Sequence, residues 1–123
     1  MKEKIITRTT CTLNEEPSSR LDINEYLVEN KTTTYFIKVK GDSMEGAHIF
    51  NGDILVVDRS KTPSSRKIIL ASVEGKFLVR RLIFEGKKTY LQAENPKYRP
   101  LEIKEGMDFE VFGTVTYAIH KPL

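Results

Sequence analysis

The chain has 123 residues, of which 39% are hydrophobic and 30% charged, with a net charge of +3. That length makes one folded domain the default, and that balance argues for a globular chain over a disordered one. No apolar run approaches the about 18 residues of a membrane helix, MKEKIITRTT lacks the apolar core of a secretory signal, and +3 is too small to indicate nucleic-acid binding by itself.

Residues 1–20 are polar, contain no glycine and include EEPSS, which reads as a flexible linker, so this segment is expected to form an arm before a domain at 21–123. DINEYLVEN (22–30) reads as a short helix: Asp22 can cap it, and Glu25 stands in capping-box register. From Thr33 onward the pattern is strand after strand. TTYFIKVK sets Tyr35, Ile37 and Val39 against Phe36, Lys38 and Lys40, and DILVVD (53–58) suits a buried strand. RSKTPSSRK (59–67) is a loop. IILASV (68–73) and KFLVRRLIF (76–84) flank Glu74-Gly75, a two-residue hairpin signal. EGKK turns into TYLQAE (89–94), NPKYRP (95–100) is another loop, and FEVFGTVTYAIH (109–120) is a long final strand with Gly113 as a candidate bulge. Short strands at this spacing predict a compact, mostly β, antiparallel domain with one short N-terminal helix.

Between the first two strands lies the corner GDSM, with Ser43 at its apex. A corner exposes a hydroxyl and turns backbone N–H groups toward it; Gly, Asp and Ser are also ordinary turn residues. Cys11 is the single cysteine, so no internal disulfide is available, and no His/Cys cluster has zinc spacing. A reducing, cytoplasmic setting fits, and no cofactor is expected.

Four blocks in order carry a specific likeness: KVKGDSMEGAHIFNGDILVVDRS, IILASVEGKFLVRRL, LQAENPKYRPLEI and VFGTVTYAI. Together they resemble the LexA/UmuD family, the self-cleaving Ser-Lys proteins of the bacterial DNA-damage (SOS) response, over about residues 21–120. The resemblance implies strongly bent antiparallel sheets with a cleft, as in the related signal-peptidase fold, and a homodimer. It implies a serine, activated by a neutral lysine, attacking a peptide bond in the protein's own N-terminal arm, stimulated by the RecA–single-stranded-DNA filament. With only about twenty residues before the first helix, the layout is similar to the UmuD branch. Those proteins are accessory subunits of an error-prone translesion polymerase with a UmuC-type catalytic partner.

Carried onto this sequence, the resemblance places the nucleophile at Ser43, and backbone N–H groups near Asp42 and Ser43 as an oxyanion hole. The general-base lysine position falls on Arg80, 37 residues later. This departs from the family. Burial can make a lysine neutral, so that it accepts the serine proton, whereas arginine stays protonated. Lys76 shares the strand face of Arg80 but stands about 13 Å along it, and Arg81 faces the other way. His48 and His120 are the remaining bases, His48 reading as a turn residue on the surface. Asp42 and Glu45 are expected to satisfy turn backbone groups or solvent. The substrate side departs too. The family cleaves between Ala or Cys and Gly, and the comparable place here is Cys11-Thr12.

Both departures predict weak or absent self-cleavage on a retained fold. The alternative reading is a non-catalytic interaction and dimerisation module that binds a polymerase or repressor partner. A signal-peptidase relative would need a membrane anchor, and a phage-type repressor fragment a DNA-binding segment. Phe77 and Phe84 among Lys76, Arg80 and Arg81 mimic a stacking platform, but core and solvated faces of a strand explain them better. The surroundings of Arg80 discriminate. A guanidinium in the cleft beside Ser43, paired with a carboxylate, marks a disabled dyad; one in solvent means a displaced alignment.

Overall fold

The structure is a computed structural model and describes residues 22–123. Helix α1, Ile23–Leu27, opens it, with the Asp22 side chain accepting from the Glu25 N–H. The helix is shorter than the expected 22–30 because it presents no fully buried face to packing, and a short helix depends on tertiary contacts to extend. The Tyr26 ring packs at a tilt against that of Tyr117, 5.9 Å between centroids.

Seven strands follow: β1 Thr34–Lys38, β2 Ile54–Asp58, β3 Ile68–Val73, β4 Lys76–Glu85, β5 Lys88–Gln92, β6 Leu101–Ile103 and β7 Phe109–Ile119. They form one antiparallel sheet in the order β1-β2-β7-β3-β4-β5-β6. The fold is mostly antiparallel β with one short helix, as the strand pattern and the resemblance both led one to expect. The Glu74-Gly75 turn takes φ of +49° and +82°, the left-handed pair that matches the twist of a two-residue hairpin. Strand β6, three residues after the NPKYRP loop, carries no signal in the sequence, since LEI is too short to show a period.

The central strands bury residues on both sides. From β3, Leu70 joins Met44, Ile49, Leu55 and Val57 in one cluster, while Ile69, Ala71 and Val73 join Leu82 and Leu91 in another. Alternation sends neighbouring side chains to opposite faces, so a sheet with a core on each face must curl to cover both. Strand β7 supplies the curl. Its register slips at Thr116 against β2 and at Phe112 against β3, one extra residue each time. Such bulges bend a strand and increase its twist. The second bulge adjoins Gly113, where an added Cβ would lie 2.7 Å from Val57 Cγ1 and 3.1 Å from the Asp58 carbonyl oxygen. Glycine there permits β2 to close on β7. The curl brings β1 and β4 to one cleft, although β2, β7 and β3 separate them in the sheet.

Candidate active site

The GDSM corner is anchored on both sides. Gly41 takes a φ of +98°, closed to most side chains, and donates its N–H to Asn51 Oδ1 at 2.8 Å. Met44, 2% exposed, sits in the first core cluster, and a turn of 3-10 helix follows at Glu45–Ala47. The chain after β5 grips this corner. The Glu94 N–H donates to the Ser43 carbonyl at 2.9 Å, the Gly46 N–H to the Glu94 carbonyl at 2.7 Å, and Asn95 Nδ2 to the Asp42 carbonyl at 2.8 Å. Among the described residues, nothing accepts from the N–H groups of Asp42, Ser43 or Met44.

Arg80 lies on β4, and its Nη1 donates to Ser43 Oγ at 2.9 Å and to the Val79 carbonyl at 2.8 Å. Its guanidinium carbon is 5.7 Å from the centroid of the Tyr98 ring. The group is half-buried, and this burial lowers its pKa from the ordinary arginine value, against the opposing pull of Tyr98. Among the described residues no carboxylate pairs with it. The guanidinium therefore occupies the cleft beside Ser43, but without the carboxylate that would have neutralised it.

The Asp42 carboxylate is engaged elsewhere, with Lys97 Nζ at 2.6 Å and the Tyr98 hydroxyl. The Lys97 hydrogen bond and then that of Tyr98 lower its pKa, and the same contact with Asp42 raises that of Tyr98. The NPKYRP loop thus contributes Asn95, Lys97 and Tyr98 to the corner. Sequence reasoning assigned none of them, and the only signal was that the loop belonged to a matching block.

The other candidates lie apart. Arg81 points away and donates to Glu94 at 3.0 Å and to the Arg66 carbonyl at 2.7 Å. Lys76 begins β4 and is exposed. His48 is exposed in the left-handed region with φ of +63°, its ring 6.5 Å from that of Phe50. His120 Nδ1 lies 2.6 Å from Oδ1 of the buried Asp53. Cys11 and Thr12 lie outside the described residues. Among the described residues no three His, Cys, Asp or Glu side chains group as metal ligands, and no helix is long and apolar enough to cross a membrane.

Ser43 and Arg80 border a cleft of about 480 Å³ whose apolar lining includes Ile37, Val39, Leu70, Leu78 and Phe112. Chemically, the corner offers a hydroxyl, unused N–H donors and a fixed positive charge. A serine needs a base to lose its proton, and a protonated guanidinium only donates.

A sequence profile of the Peptidase S24-like family matches residues 3–116. Protein ImpA of Salmonella typhimurium is 34% identical over 102 residues, spanning 82% of this chain and 68% of its own length. Protein MucA of Escherichia coli is 36% identical over 100 residues, covering 80% of this chain and 68% of its own. The LexA repressor of Geobacter sp. (strain M21) is 43% identical over 72 residues, which are 58% of this chain and 36% of the repressor.

Proposed function

Because this chain belongs to the Peptidase S24-like family, with the LexA/UmuD character read from its sequence, we propose that it is a UmuD-like protein of the DNA-damage response whose self-cleavage is weak or absent. In this reading it acts in the cytoplasm as a homodimeric accessory subunit of a UmuC-type translesion polymerase. Ser43 stands at the nucleophile position, and the N–H groups around Asp42 and Ser43 at the oxyanion position. The carrying observation is the 2.9 Å contact from Arg80 Nη1 to Ser43 Oγ. A neutral lysine at this place would accept the hydroxyl proton as the oxygen attacks. A guanidinium instead donates into the lone pair the attack requires, and holds the hydroxyl in an unreactive state.

The test is incubation of the purified chain at mildly alkaline pH, with and without a RecA–single-stranded-DNA filament, read by mass spectrometry. The expected result is an intact chain. A fragment beginning near Thr12, lost in Ser43→Ala, would overturn the proposal. Arg80→Lys, supplied with a peptide carrying a family-type Ala-Gly bond, is expected to gain cleavage of about 10²-fold or more, the usual contribution of a general base. The accessory role is tested by co-purification with a UmuC-type polymerase, where failure of wild type and Ser43→Ala alike would leave only the dimerisation-module reading. That second reading is favoured by the same arginine, since a scaffold needs no base.

A further inference from the structure

The cleft beside Ser43 holds a cation that lacks an anion among the described residues. Only Nη1 of Arg80 finds acceptors among the described residues, leaving the other guanidinium N–H groups available on a half-buried side chain. The nearby Asp42 carboxylate is already held by Lys97 and Tyr98. Among the described residues no carboxylate therefore offsets the charge of Arg80. A partly desolvated guanidinium gains most from a planar anion, with which it forms two parallel hydrogen bonds. Beside it, the N–H groups of Asp42, Ser43 and Met44 supply further donors without partners among the described residues.

The walls of the cleft suit a main chain. Among the described residues, strand β1 is an edge of the sheet, paired with β2 alone. The first half of β4, Lys76–Arg80, pairs only with β3 among the described residues, because β5 joins at Arg81. Two open strand edges thus flank an apolar trough, and an extended peptide can bond to such an edge through its backbone.

We infer that this cleft is a receptor for the C-terminal carboxylate of an extended apolar peptide, bound by the Arg80 guanidinium, the Ser43 hydroxyl and the unpaired N–H groups of the corner. The inference rests on the reading that Arg80 has replaced the catalytic base. A hydrolytic cleft must release the carboxylate it makes, whereas a cleft with an added fixed charge retains one. No bond is made or broken. The charge complementarity selects the free carboxylate over an interior stretch of chain, which carries nothing for Arg80 to neutralise.

The experiment is fluorescence anisotropy with the full chain and a labelled apolar hexapeptide ending in Ala, as the free acid and as the C-terminal amide. The acid is expected to bind about ten- to a hundredfold more tightly, the scale of a charge-assisted hydrogen bond, with the margin shrinking in salt. Arg80→Gln is expected to erase the margin and Arg80→Lys to keep part of it, since an ammonium lacks the fork. Circular dichroism establishes that each variant is folded. Equal binding of acid and amide, no binding of either, or a margin that survives in folded Arg80→Gln would overturn the receptor. So would an amidated peptide with an internal Asp that binds as tightly as the acid. The reading of weak or absent cleavage fails separately: cleavage of the amide peptide by the wild-type chain, seen by mass spectrometry, would sink it whatever the binding margin.

Discussion

Arg80 and Ser43 show how one residue type fixes the chemistry of a corner whatever the geometry. Had Lys stood at 80, the half-buried setting would favour its neutral form; Arg in the same setting keeps its charge and remains a donor. Asp53 shows the opposite case, a buried charge that is well served. Burial alone would raise its pKa, but the Phe50 N–H at 2.8 Å and His120 at 2.6 Å outweigh it, and the value is lowered. A lowered carboxylate pKa means that the unfolded chain binds the proton first as pH falls. Its stabilisation is therefore complete above the ordinary carboxylate value and disappears as pH drops through the folded one. Asp53→Asn is expected to cost about 1.5–3 kcal/mol at neutral pH, the range for a hydrogen bond to a charged group. Urea unfolding at pH 7 and pH 3 checks this, with a smaller difference between variant and wild type at the lower pH.

At the scale of elements, two glycines set contacts that the rest of the site depends on. Gly46 approaches the chain after β5 so closely that an added Cβ would lie 2.6 Å from the Glu94 carbonyl oxygen. That carbonyl accepts the Gly46 N–H, so the substitution pushes apart the two segments that hold the corner. Gly46→Ala is expected to destabilise by about 1–3 kcal/mol, as overpacking does. In an Arg80→Lys background it should also lower any cleavage gained, measured on the same peptide. Gly113→Ala meets Val57 Cγ1 across the β2–β7 contact and should cost a similar about 1–3 kcal/mol in urea unfolding. The strands were legible at this scale because their period and turn residues are local: β3 falls on the expected residues, and β4 and β7 within one residue of them. The bulge was half legible. Gly113 marked the place, but the extra residues, Phe112 and Thr116, are defined only against β3 and β2.

Over the whole molecule, the two apolar clusters share β3, whose neighbouring residues feed opposite faces. Neither cluster can come apart without removing a wall of the other. Leu55→Ala in one and Leu82→Ala in the other are each expected to cost about 2–5 kcal/mol. Both should move the same single unfolding transition. Two separable transitions in calorimetry would show that the clusters unfold independently.

The sequence by itself determined the succession of strands, the hairpin at Glu74-Gly75 and a serine on a corner, all of which follow from residue type and short-range spacing. The comparison of Arg80 with a lysine position came from the family resemblance alone. Only the tertiary structure decided that Arg80 reaches Ser43 at 2.9 Å, that no described carboxylate answers its charge, and that Asn95, Lys97 and Tyr98 hold the corner in place. Alternation tells which face of a strand a residue occupies, but not what a bulged and curled sheet brings opposite it. Contacts between segments 37 and 53 residues apart depend on that curl, and no local pattern encodes them.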